Sequence, residues 1–264
     1  MVLSALASSG LGVLVLVGGA VGSVRLVQVR PAFVPMPFNS AISFLFAGIG
    51  LFGLARPRRW LAAASGVLAA LLGALTLIQF AAGIDTGVDR AGGGGFQTVT
   101  VSHPGRMGPN TSLCFTVIGS ALLVAAVWPR WGCRAPLLAH AGAVVVALGT
   151  ATLLGYLGGM RHALSWGHPL RMAIHSAAGF CAIGAGLLVA AWDEADASGT
   201  PRPRWVASVV GSGCIAATLW LWRACTAEAH ADVLSPGWPF GVLTAGLALA
   251  ALLTALLYRR RPAF

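Results

Sequence analysis

Eight runs of mostly apolar residues dominate this chain of 264 residues, at 4–24, 38–55, 60–82, 111–128, 135–156, 172–192, 205–222 and 240–258. No Asp, Glu or Arg stands in the middle of any run. A helix rises 1.5 Å per residue, so about 20 such residues cross the hydrocarbon core of a bilayer. Within lipid no water is present to satisfy backbone N–H and C=O groups, and a helix satisfies them internally. The expectation is an all-α integral membrane protein of eight transmembrane helices, forming a single polytopic domain over 1–264.

The eight runs are not independent. Met36-Pro37-Phe38-Asn39-Ser40-Ala41, Met107-Gly108-Pro109-Asn110-Thr111-Ser112 and Met172-Ala173-Ile174-His175-Ser176-Ala177 say nearly the same thing, with Met-to-Met spacings of 71 and 65 residues. Each reads Met, two residues, Asn or His, Ser or Thr, a small residue, then a Gly- and Leu-rich apolar run that ends in a charged turn. Trp238-Pro239-Phe240-Gly241-Val242-Leu243 is a degenerate fourth copy. A repeat of this period signals one supersecondary unit used several times. The predicted architecture is four helical hairpins, with repeat units at about 1–56, 57–130, 131–193 and 202–261, each returning through a helix opened by the motif. Small residues inside the runs, such as Gly48, Gly50, Gly53, Gly184 and Gly186, suit close helix packing in a membrane.

Charge fixes the expected orientation. Only 9% of residues are charged, against about 25% in soluble domains. All 17 basic residues are Arg, the usage of a GC-rich bacterial genome. The net charge of +10 does not signify nucleic-acid binding, because the Arg residues sit in turns beside apolar runs, where they set orientation and meet lipid phosphates. The turns after runs two, four and six, with the tail, hold ten: Arg56, Arg58, Arg59, Arg130, Arg134, Arg202, Arg204, Arg259, Arg260 and Arg261. The longer opposite connections hold Arg25, Arg30, Arg90, Arg106, Arg161, Arg171 and Arg223. Positive charge is retained inside, so both termini are expected in the cytoplasm of a bacterial inner membrane, with the motif at the outer face. Trp60, Trp128, Trp131, Trp192 and Trp205 then form an inner aromatic belt, and Trp166, Trp220, Trp222 and Trp238 an outer one. The five Cys include no C-x-x-C pair, which points to free thiols rather than a disulfide framework or zinc site.

The motif admits two readings. In one, Asn39/Ser40, Asn110/Thr111 and His175/Ser176 cap and pack helix N-termini. In the other, Met36, Asn39, Ser40, Arg106, Met107, Asn110, Thr111, Arg171, Met172, His175 and Ser176 line a shared ligand site where helix N-termini converge. Such termini are electropositive, so an anionic or carbonyl-bearing ligand, or a lipid phosphate, fits and a cation does not. Arg106 and Arg171 oppose the dipole and so call for another partner. Only one copy carries His, so no metal site is expected. Asp85 and Asp89, four apart in the connection 83–110, form an outer polar cluster that suits a surface ion pair with Arg90, Arg106 or a His. No nucleophile accompanies them, and no enzyme is expected. Residues 97–102 suit a short strand or a surface path. His162, His168 and His175 around Trp166 suit a metal or pH sensor, or solvated and capping roles. His140, embedded in an apolar run, suits a backbone or hydroxyl hydrogen bond; a haem or pigment ligand is the alternative.

The runs His103 to Phe115 and Arg171 to Phe180, with Gly83-Ile84-Asp85-Thr86-Gly87-Val88-Asp89 and Leu154-Gly155-Tyr156, resemble the multi-helix membrane region at the N-terminus of bacterial sensor histidine kinases and cyclic-di-GMP enzymes. The resemblance covers most of 36–192 and implies a membrane sensory or input role. In that family the last helix leads into an output domain; here Tyr258-Arg259-Arg260-Arg261-Pro262-Ala263-Phe264 closes the sequence. The expectation is a non-enzymatic input module that binds a small ligand or lipid and acts through a partner, such as a kinase-type output protein. The alternative is an accessory subunit of a respiratory or photosynthetic membrane complex.

Overall fold

The computed structural model describes residues 1–30, 33–56, 58–90, 105–159, 172–199, 203–230, 234–235 and 237–259. Its elements, in order, are α1 (Val2–Ala20), the short α2 (Val24–Gln28), α3 (Phe38–Ala55), α4 (Arg59–Ala82), a 3-10 turn (Val88–Arg90), α5 (Pro109–Val127), α6 (Arg134–Leu157), α7 (Ile174–Ala197), α8 (Val206–His230) and α9 (Trp238–Arg259). The protein is all-helical, and eight of these helices are long and apolar enough to span a membrane. They match the eight apolar runs to within a few residues, with two extensions. α7 continues beyond residue 192 through Asp193, Glu194 and Asp196, and α8 beyond residue 222 to His230. Hydropathy ends where charge begins, whereas backbone hydrogen bonding continues past the apolar layer.

The helices close into a ring. α1 packs on α3 and α7, α4 on α5 and α3, and α6 on α7 and α5. The inner helices α3, α5 and α7 also touch one another. Each outer helix therefore contacts the inner helix of its own hairpin and that of a neighbouring hairpin, which is a pseudo-threefold arrangement of the first three repeats. On its axis the rings of Phe44, Phe115 and Phe180 meet pairwise, with centroids 4.8, 4.8 and 4.9 Å apart. All three are fully buried.

Close approach of the helices rests on two glycine levels in each hairpin. On the inner helices, a Cβ at Gly48, Gly119 or Gly184 would collide with the backbone of α1, α4 or α6 respectively; at Gly119 it would lie 2.4 Å from the Ala70 nitrogen. On the outer helices, a Cβ at Gly12, Gly73 or Gly149 would collide with the carbonyl of Ala41, Ser112 or Ala177. These are matching positions in successive repeats. Lipid tails are as apolar as Leu, so helix association in a bilayer draws on van der Waals packing rather than on water exclusion, and backbone contact across glycine maximises it.

The fourth hairpin stands outside the ring. α8 packs on α6, and α9 packs on α8. Within α9 only Pro239 and Ala250 are buried, and Trp238 and Phe240, which head the degenerate fourth motif, are exposed. Three helix openings converge, not four. Trp220, assigned from sequence to the outer aromatic belt, is instead fully buried. At the end of the ring opposite the motif, Arg134 joins three helices: its Nε donates to the Ala125 carbonyl of α5 at 2.8 Å, and its guanidinium pairs with Glu194 of α7.

Candidate functional site

The ring brings the three motif copies to one end. Met36, Met107 and Met172 are buried just before their helices begin. The helix N-caps are Pro37, Gly108 and Ala173, all extended, and none makes a side-chain cap hydrogen bond. Asn39, Asn110 and His175 lie at the second helical position, so they are not the N-caps that the capping reading requires. One local substitute exists: Asn110 Oδ1 accepts the amide N–H of Thr111 at 3.0 Å, which satisfies an otherwise orphaned first-turn donor.

The Asn/His position and the Ser/Thr position that follows it point in different directions. Asn39 Nδ2 donates to the Val88 carbonyl at 3.2 Å. Val88 belongs to the connection leaving α4, the outer helix that α3 shares with the next repeat. His175 lies beside the Val27 carbonyl, in the connection leaving α1, the outer helix that α7 shares. That carbonyl already accepts the Met36 amide at 2.9 Å, and neither ring nitrogen of His175 makes a hydrogen bond of normal geometry among the described residues. In two copies, then, this position faces the connection of the neighbouring repeat. Asn110 Nδ2 is buried and has no partner among the described residues.

Ser40, Thr111 and Ser176 each precede a triad phenylalanine by four residues. Residues at i and i+4 share a helix face, so these three face the axis one turn outward of the aromatic floor. All are buried, and Ser40 Oγ and Ser176 Oγ lack hydrogen-bond partners among the described residues.

Beside this ring lies a polar cluster whose centre, Gln79, Asp89 and Arg106, is buried. Arg106 Nε donates to Asp89 Oδ2 at 2.7 Å, and an Arg106 terminal nitrogen lies 3.6 Å from Asp85 Oδ1. Gln79 Nε2 donates both to Asp89 Oδ2 at 3.1 Å and to Thr86 Oγ1 at 2.9 Å. The Arg106 guanidinium also lies over the Phe80 ring at 5.7 Å. Gly105, at φ +82°, lets the chain pass over Asp89: a Cβ there would meet the Asp89 carbonyl at 2.2 Å. The pair of Arg106 and Asp89 is buried on both sides, with side chains 7% and 5% exposed, and so is not the surface ion pair expected from sequence. It also answers why Arg106 precedes an electropositive helix end. Its partner is a carboxylate of this chain, and Arg106 drops out of the ligand-facing set.

His140 Nδ1 is hydrogen-bonded to the Pro136 carbonyl one turn back at 2.7 Å. The five cysteines are free thiols. No group of three or more His, Cys, Asp or Glu that could hold a metal occurs among the described residues. Arg171, His162, His168, Trp166 and the 97–102 stretch lie outside the described residues.

Sequence reasoning missed most of the axis. Phe44, Phe115 and Phe180 stand at the same offset from the motif Met, as do Gly48, Gly119 and Gly184, and Leu51, Leu122 and Leu187. The motif is thus the head of a longer unit, and aligning its copies residue by residue gives the signal. No family model, no curated protein and no solved structure matches this chain.

Proposed function

We propose that this protein is a non-enzymatic membrane input module: it holds a small ligand at the motif end of its three-repeat ring, at the extracytoplasmic face, and acts through a partner protein. The observation that carries this reading is the pair of buried hydroxyls where α3 and α7 open, Ser40 Oγ and Ser176 Oγ, which have no hydrogen-bond partner among the described residues. A buried polar group left without a partner costs about 1–3 kcal/mol. Two gathered at one end of one bundle are a cost that a bound guest offsets. The resemblance of the motif runs to the membrane regions of sensor kinases and cyclic-di-GMP enzymes supports the same reading.

A second reading, an accessory subunit of a larger membrane complex, draws on the fourth hairpin, which stands outside the ring with α9 packed mainly on α8. One experiment separates the two. The tagged chain is extracted from its native membranes in mild detergent and examined by native mass spectrometry, alongside a Ser40→Ala/Ser176→Ala variant. The input-module reading expects a bound small-molecule mass that the variant loses and a protein partner whose retention differs between the two. A stable assembly indifferent to the variant favours the accessory-subunit reading. A chain that runs alone, with no bound mass, overturns the input-module reading.

A further inference from the structure

We propose that the pseudo-threefold axis, between the phenylalanine triad and the openings of α3, α5 and α7, binds a small monovalent anion of the halide class. This rests on the input-module reading and names the ligand of its site.

The hydroxyls come first. Elsewhere in these helices Ser and Thr side chains fold back onto the carbonyl four residues earlier: Ser43 onto Asn39, Thr76 onto Leu72, Ser112 onto Gly108, Thr116 onto Ser112 and Thr152 onto Leu148. Ser40 and Ser176 do not. They occupy the third helical position, and the residues four earlier, Met36 and Met172, lie before the helix. The Met172 carbonyl is engaged by the Tyr156 hydroxyl at 2.7 Å. Two symmetry-related hydroxyls, each almost wholly buried, are thus left to donate toward the axis.

The field comes second. A helix N-terminus carries an effective charge of roughly +0.5, and three converge. Among the described residues, the first-turn amides have no side-chain cap beyond the bond from Thr111 to Asn110. The first turns of α3, α5 and α7, Phe38–Ala41, Pro109–Ser112 and Ile174–Ala177, carry no carboxylate, Lys or Arg. Arg106 is held off the axis by Asp89. Donors and positive potential without a fixed cation suit a single negative charge. The same potential opposes a cation. Full burial disfavours a lipid phosphate, which is larger and more strongly hydrated. The phenylalanine triad closes the axis below, so the proposed site has no path through the ring.

The test uses the full chain in lipid nanodiscs. Sodium gluconate is replaced stepwise by sodium bromide at constant ionic strength while thermal unfolding is followed. The expected result is a saturable rise in Tm that is weakened about a hundredfold or more in apparent affinity by Ser40→Ala/Ser176→Ala, since hydrogen bonds to a charged group are each worth about 1.5–3 kcal/mol. If that double variant fails to fold, Ser40→Ala and Ser176→Ala are titrated singly, and each is expected to weaken the response about tenfold or more. A Tm indifferent to bromide overturns the proposal. Equal responses in wild type and variant overturn it too, because the anion then binds elsewhere. A bound neutral mass in native mass spectrometry, together with indifference to bromide, would remove the anion and leave the input module standing.

Discussion

The rings of Phe44 and Phe115 meet edge to face, with centroids 4.8 Å apart and planes at 77°. The two residues occupy the same place in successive copies of one unit, and Phe180 closes the triangle from the third copy. A single hairpin cannot bury its own phenylalanine. Three hairpins in a ring bury all three, with the outer helix of each bridging two inner helices. The repeat is therefore a condition of the fold: each unit leaves uncovered a face that only another copy covers.

That dependence predicts equal penalties at symmetric positions. Phe44→Ala, Phe115→Ala and Phe180→Ala should each cost about 3–5 kcal/mol, the range for removing a fully buried phenylalanine. Thermal unfolding in one detergent should place the three variants close together and far below wild type. If one of the three were nearly neutral, its ring would not belong to a shared triad.

Glycine at the hairpin contacts makes a sharper contrast. Gly119→Val sets branched carbon against the backbone of Gly66 and Ala70, so α4 and α5 must separate along their length. Gly10→Ala, in α1, meets nothing within 4 Å and removes the helix penalty of glycine, about 1 kcal/mol. The first should abolish recovery of folded monomer in size-exclusion chromatography. The second should leave Tm unchanged or slightly raised.

Much of this was legible in the chain, and the boundary between what was and was not is physical. Eight apolar runs gave eight helices because lipid leaves the backbone no alternative to internal hydrogen bonding. The motif head was readable because Met, Asn and His are rare inside such runs. The continuation through Phe44, Gly48 and Leu51 was harder to see because apolar letters recur everywhere in a membrane helix. A helix apolar all round does not announce which face it buries. Asn39 and His175 were read as caps or ligand groups, since spacing cannot tell the helix position that starts a helix from the one that reaches a neighbouring connection. Arg106 was read both as a ligand-facing charge and as one of several candidate partners of Asp85 and Asp89, because sequence separation does not show which pairing the fold buries.

The Arg106 and Asp89 pair predicts non-additivity. Removing one partner of a buried ion pair leaves an uncompensated charge and costs about 3–5 kcal/mol. Arg106→Ala and Asp89→Ala should each be severe. The double variant should cost clearly less than the sum of the two, because neither charge is then stranded. Gln79 and Thr86 remain to bond each other, which limits the residual loss. Strict additivity in a double-mutant cycle would mean the two side chains do not act as a pair.

Orientation is decided by labelling. Cys133 is exposed and lies in the turn between α5 and α6, at the end opposite the motif. Ile84, just past α4, is exposed at the motif end. If the excess of Arg at the Cys133 end holds that end in the cytoplasm, a membrane-impermeant maleimide should label wild-type protein at Cys133 only after cells are broken. An Ile84→Cys/Cys133→Ser variant should be labelled in intact cells. The arginines at the motif end are not uniformly free to oppose this, since Arg106 is bound to Asp89 within the fold. The inverse pattern would turn the motif end toward the cytosol, and any ligand bound there would then be drawn from inside the cell.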